Sequence, residues 1–224
     1  MKLSHVIFDM DGVLFDSERM YEEGLMLYAP RYGFSPTHED YLLTVGGSDK
    51  AAKEIFFNRF GEFDYDALRS DIRKHILSQL KNGRIPLKKG VHNILSYLKE
   101  NGVLVALATS TRRSTVDMML KIARIDHYFD YTVCGNEIKH PKPNPEIFLN
   151  AMHHLGGTTE NTMVVEDSYN GVRAANAAGI PVLVVPDMLP PNPALPNFAV
   201  ANDLDEALTI MAPLVEGRSF SHSV

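Results

Sequence analysis

Val6-Ile7-Phe8-Asp9-Met10-Asp11-Gly12-Val13-Leu14 is the stretch that decides the fold. It opens on an apolar run of strand length and turns abruptly into two acids and a glycine. An unbroken apolar run indicates a strand buried on both faces, and such strands belong to parallel sheets covered by helices. Four further runs of this character follow, at 103–108, 131–134, 162–165 and 182–185. Helical patterns lie between them, with stop signals such as Gly102 and Gly179. The alternation predicts an α/β fold built on a doubly wound parallel sheet.

One region breaks the rhythm. From 17 to 85 no strand pattern is present, and helical patterns run near 18–32, 37–44, 49–60 and 65–81, punctuated by Gly33, Gly46-Gly47, Gly61 and Gly83. A structureless connection of that length does not suit a compact domain. The expected organisation is therefore an α/β core from 1–16 and 86–224, with an all-helical unit, 17–85, inserted after the first strand.

Composition narrows the function. The 224 residues are 45% hydrophobic and 22% charged, which excludes disorder, collagen and coiled coil. No apolar run approaches the ~18 residues of a membrane span. A single cysteine, Cys134, excludes a disulfide framework and a cysteine-based zinc cluster. The net charge of -6 offers no basic face for nucleic acid. The chain opens on a strand-length run instead of a secretory leader, so a cytoplasmic protein is expected, acting as a monomer. The tail 219–224 reads as a frayed end.

Four clusters carry candidate chemistry. Asp9 and Asp11 are two apart and project the same way from the end of strand 1. Two close carboxylates repel unless a cation or proton lies between them, and oxygen ligands suit Mg²⁺; two solvated acids at a loop start are the plain alternative. Thr109-Ser110-Thr111 offers hydroxyls and backbone N–H groups as an anion seat, or simply a helix cap. Lys142 is held between prolines in Pro141-Lys142-Pro143, fit to pin a phosphate or merely part of a helix lead-in. Glu166-Asp167 ends a buried strand at the sheet edge where α/β folds bind ligands, though Asp167 or Ser168 can equally cap the next helix. The case rests on their falling together at one edge. The helical insert carries 10 Lys or Arg against 11 Asp or Glu, and the remainder 12 against 17. A site this acidic repels phosphate unless Mg²⁺ and Lys142 reverse the local sign.

With these four clusters in order, the chain resembles the haloacid dehalogenase superfamily over about 1–210. Phe8-Asp9-Met10-Asp11-Gly12-Val13-Leu14 is similar to its first motif and Thr109 to its second. Lys142 in Lys-Pro-Asn-Pro-Glu-Ile-Phe is similar to the third, and Glu166-Asp167 to the fourth. The branch it resembles holds β-phosphoglucomutases and sugar-phosphate or nucleotide phosphatases with a helical cap. Ala106-Leu107-Ala108-Thr109-Ser110 and Val184-Val185-Pro186-Asp187 resemble pseudouridine-5′-phosphatase-type members.

The resemblance implies a Rossmann-like core and a Mg²⁺-dependent phosphatase acting on a small phosphorylated metabolite. Asp9 is then the nucleophile that forms an aspartyl-phosphate, and Asp11 the acid and base. Asp9, Asp11, Glu166 and Asp167 surround the metal; Thr109, Ser110 and Lys142 bind phosphate. The helical insert is expected to act as a lid, with Gly46, Gly47 and Lys50 in the loop over the site; Lys50 on its own is as well read as a solvated lysine. Two other readings stay open: a phosphosugar mutase, and a phospho-acceptor signalling domain, which needs no lid. Mutases of this branch place a histidine ten residues after the acid/base aspartate and an arginine in the cap loop. Here those positions offer Tyr21, and Asp49 followed by Lys50. Water is therefore the expected acceptor.

Overall fold

The computed structural model describes residues 2–47, 49–84 and 86–217; the 219–224 tail lies outside them. Six strands form one sheet: β1 (His5–Phe8), β2 (Leu104–Thr109), β3 (Tyr131–Cys134), β4 (Thr162–Glu166), β5 (Val182–Val184) and β6 (Ala199–Val200). They lie in the order β3-β2-β1-β4-β5-β6, and every neighbouring pair is parallel. The chain builds outward from β1 to β3 on one side and then from β4 to β6 on the other. The order reverses at β1, so the crevice of the sheet opens beyond its C-terminal end.

The helices are α1 (Ser17–Tyr28), α2 (His38–Leu42), α3 (Asp49–Phe60), α4 (Tyr65–Lys81), α5 (Val91–Glu100), α6 (Arg113–Ala123), α7 (Glu146–His154), α8 (Tyr169–Ala177) and α9 (Leu204–Val215). The chain divides into two compact units, Met1–Phe15 with Leu87–Val224, and Asp16–Pro86. In the first, α7 packs on β2 and β3, α8 on β4 and β5, and α5 on β2 and α9. Ile7, Ala106, Ala108, Ile147, Phe148, Val164, Val172 and Val182 are buried together in its core. Of the runs read as doubly buried strands, β1 and β4 are buried throughout; β2 opens on the exposed Leu104, and the edge strand β3 is only partly buried at Tyr131 and Thr132.

The second unit is helical. Gly24 lets α1 approach α4, since a Cβ there would stand 2.9 Å from Ile72 Cγ2. Phe34 anchors the other end, its ring 4.8 Å from Phe60 and 4.4 Å from Phe63. The helix expected over 18–32 ends earlier, at Tyr28, and continues as a 3₁₀ turn over Ala29–Tyr32. Pro30 is the reason: it has no N–H for the helical ladder and suits the first turn of a new element. Two elements, β6 and α9, have no counterpart among the sequence patterns. No helix among the described residues is long and apolar enough to cross a membrane.

Candidate active site

The residues just past the ends of the central strands assemble the site. Phe8 is level with Leu107 on β2 and Val165 on β4. The ladder runs one residue further, because Asp9 N donates to Val165 O at 3.0 Å. The chain then turns at once. Met10 O accepts from Leu14 N at 2.9 Å and Phe15 N at 3.0 Å, and Gly12 N donates to Phe15 O at 2.8 Å. Met10, Val13, Leu14 and Phe15 are buried beneath this turn, which fixes it as part of the core. Gly12 is required twice over: its φ is +80°, and a Cβ would stand 2.3 Å from Asp167 Oδ2.

Lys142 joins the strand ends. Its Nζ donates to Asp9 Oδ1 at 2.5 Å, to Glu166 Oε1 at 2.7 Å and to Ala108 O at 3.3 Å. The Phe148 ring lies beneath it, 4.6 Å from Nζ to centroid. Its side chain is 6% exposed, and those of Asp9 and Glu166 are 9% and 1%. The other oxygen of Glu166 accepts from Ser168 N at 2.7 Å and from Ser168 Oγ at 3.0 Å. Ser168 in turn caps α8 by accepting from Gly171 N at 3.0 Å. Both oxygens of Glu166 are thus engaged by protein donors, and its evident work is to hold Lys142 and the start of α8.

Asp11 faces the hydroxyls. Its Oδ2 accepts from Thr111 Oγ1 at 2.7 Å and stands 3.5 Å from Thr109 Oγ1. Thr109, fully buried as the last residue of β2, also accepts from Thr111 N at 3.0 Å. Ser110 follows it as an exposed residue, its carbonyl against Gly135. None of these hydroxyls caps α6; Asn136 Oδ1 does so instead, accepting from Arg113 N at 2.9 Å. Thr111 is a residue whose contact with Asp11 the sequence did not disclose. It belongs to the Thr109-Ser110-Thr111 cluster, but only the fold turns its side chain onto the acid.

The electrostatics show a deficit of positive charge. Carboxylate oxygens of Asp9, Glu166 and Asp167 lie within 4.8 Å of one another. Burial pushes the Asp9 carboxyl up to about 7; Lys142 opposes this, while Glu166 and Asp11 add to it. Asp167 is pushed well up by burial and by Glu166, Asp9 and Asp187. Burial would lower the Lys142 ammonium, but Asp9 and Glu166 outweigh it and hold it above its ordinary value. One lysine against three clustered acids leaves negative charge uncompensated, and hard oxygen donors fit a small divalent cation such as Mg²⁺.

The remaining sequence candidates lie in the helical unit. Tyr21, on α1, stacks on Tyr41 at 6.1 Å and has Arg69 and Asp49 around its hydroxyl. Arg69 also pairs with Asp49 at the start of α3. Gly46 takes a positive φ of 71° in the turn before α3, Gly47 follows it, and Lys50 is exposed on the first turn of α3. The structure thus gathers Asp9, Asp11, Thr109, Lys142, Glu166 and Asp167 within one unit and places Tyr21, Gly46, Gly47 and Lys50 in the other.

Residues 6–185 match the family model described as haloacid dehalogenase-like hydrolase, and the chain belongs to that family of enzymes. A phosphorylated carbohydrates phosphatase of Thermotoga maritima is 33% identical over 179 residues, 78% of this chain and 81% of that protein. A protein of Drosophila melanogaster named as a probable pseudouridine-5′-phosphatase is 31% identical over 193 residues, 83% of each chain. A solved Thermotoga maritima structure described as a candidate β-phosphoglucomutase superposes with a TM-score of 0.78 at 29% identity, covering 94% of this chain and 99% of that one.

Proposed function

We propose that this hydrolase is a Mg²⁺-dependent phosphatase of small phosphomonoesters, a sugar phosphate or nucleotide-like compound, working through an aspartyl-phosphate on Asp9. The observation that carries the reading is Lys142 Nζ bridging Asp9 and Glu166 at 2.5 and 2.7 Å, with Asp167 in the same cluster. Lys142 favours the charged form of Asp9 against the effect of burial and adds positive charge where phosphate oxygens would sit. Mg²⁺, held by Asp9 and Asp167 with the backbone of Asp11, would neutralise the phosphoryl oxygens.

In the first step the free oxygen of Asp9 bonds to phosphorus as the bond to the leaving oxygen breaks, and Asp11 passes its proton to that oxygen. In the second, Asp11 takes a proton from water, the water oxygen bonds to phosphorus, and the bond to Asp9 breaks. Thr111 orients Asp11 for both transfers. Thr109 and Ser110, with Lys142, bind the phosphate. Selection of the leaving group falls to the helical unit, through Tyr21 and the Gly46–Lys50 stretch.

Hydrolysis is preferred to a mutase reaction. Tyr21 stands where the mutase pattern has histidine, and a phenol buried against Tyr41, whose ordinary ionisation burial opposes, is a poor proton carrier near neutral pH. The relative at 33% identity bears a phosphatase name, which supports a phosphorylated carbohydrate as substrate. The test is a screen of sugar phosphates, nucleotides and pseudouridine 5′-phosphate with Mg²⁺, measuring free phosphate. Asp9→Asn, an isosteric change, should abolish release and leave thermal unfolding cooperative. Turnover near wild type in that variant would mean the nucleophile is misassigned.

A further inference from the structure

Beyond β5 the chain continues as Val185-Pro186-Asp187. Val185 N donates to Glu166 O at 2.8 Å, so this segment extends the sheet alongside the acidic end of β4. Asp187 comes two residues later with its side chain only 1% exposed. Its Oδ1 accepts from Lys88 Nζ at 2.5 Å. Its Oδ2 is buried and finds no hydrogen-bond donor among the described residues. Its charge reaches Asp167, adding to the push on that carboxyl. Lys88 is itself fixed, its N donating to Leu14 O at 2.9 Å next to the Phe15–Leu87 bridge.

A buried carboxylate oxygen without a donor is costly, and more so when charged. Directing that charge at an already crowded acid adds to the cost. Both costs vanish if a cation lies beyond Asp167 with its own water, because that water supplies the missing donor and the cation the missing charge. We infer that Asp187 is a positioning residue of the metal site: fixed by Lys88, its free oxygen accepts a hydrogen bond from a water on the cation that Asp167 helps hold. The inference rests on the metal-dependent reading proposed above.

The test measures Mg²⁺ binding by calorimetry, and Mn²⁺ binding by electron paramagnetic resonance, on the full chain without substrate. Asp187→Asn should weaken both by about tenfold, within the range usual for partners one step removed from a metal. The metal-free melting point should fall, because Lys88 loses its charged partner whatever the free oxygen does, so the metal Kd is the deciding readout. Lys88→Arg is the second variant. Its fork can engage both oxygens of Asp187, which should raise metal-free stability and weaken metal binding severalfold. A residue serving only to tie β5 to the chain after Pro86 would lower the metal-free melting point and leave the metal Kd unchanged in both variants, and that result overturns the inference. Asp167→Asn separates the two levels. Loss of binding there, with wild-type affinity in both Asp187→Asn and Lys88→Arg, sinks the inference and leaves the metal site standing. A wild-type chain that binds neither ion sinks both.

Discussion

At the scale of the residue, Lys142 carries the heaviest electrostatic duty. It is buried between two acids and is also the group that would meet phosphate. Truncating one member of a buried ion pair leaves the partner charges uncompensated, at a cost of about 3–5 kcal/mol. Lys142→Met keeps the length of the side chain and its packing on Phe148, so the loss should be electrostatic. The expected outcome is a metal-free protein destabilised by about that amount in urea, with kcat/KM lost through both kcat and KM. Unchanged stability and kinetics would make the lysine a bystander. Its place was legible because Asp9, Lys142 and Glu166 each interrupt a conspicuous pattern, two ending apolar runs and one locked by prolines. Asp187 also follows an apolar run, in a stretch the sequence singled out, but Lys88 interrupts nothing. They lie 99 residues apart, and their pairing exists only once β5 has been laid beside β4.

At the scale of the element, the first turn of α8 shows how closely backbone and site are fitted. A Cβ on Gly171 would stand 1.7 Å from Glu166 Oε1 and 1.9 Å from its carboxyl carbon. Gly171→Ala is harmless to a helix by propensity, yet here it must dislodge the acid that holds Lys142. It should cost about 1–3 kcal/mol, as overpacking of a filled core does, and reduce phosphate release. A stability gain would show that Glu166 can step aside freely.

The end of β3 gives a second case, away from the chemistry. Glu137 accepts from Cys134 N at 3.0 Å and is gripped by Arg113 at 2.8 and 2.7 Å, while Cys134 is buried. Burial pushes the Cys134 thiol from 9.0 up to about 11, with Arg113 opposing and Glu137 adding. The unfolded chain therefore loses the thiol proton first. Stability due to this group is complete below about 9 and falls as pH rises toward about 11. Cys134→Ala should flatten that part of the stability profile relative to wild type, as urea midpoints from pH 8 to 10.5 would show. Parallel profiles would deny the thiol any such role. Strand β3 was readable from its apolar run, but its fastening by Arg113 and Glu137 was not, because no spacing in sequence announces an ion pair between a helix start and a 3₁₀ turn.

At the scale of the whole molecule, the chain is one sheet-based unit interrupted by a helical one, each with its own apolar core. The interruption was readable as a missing strand pattern over some seventy residues, since an insertion of that length must bury its own faces. Its internal detail was less readable. The polar group of Tyr21, Asp49 and Arg69 draws on three helices, and the stop after Tyr28 depends on one proline. The placement of the acids makes the two units thermodynamically distinguishable. Asp9, Asp11 and Asp167 all belong to the sheet-based unit, so an ion held there stabilises that unit by RT ln(1 + [L]/Kd), about 2.7 kcal/mol at a hundredfold excess over Kd. Amide hydrogen exchange with and without Mg²⁺ is the measurement. Slowing by up to about a hundredfold is expected in β1, β4 and α8, where opening must release the ion. The buried amides of α1 and α4, in the helical unit, should exchange at the same rate in both conditions if that unit opens separately. Equal slowing in α1 and α4 would mean that the two units open as one.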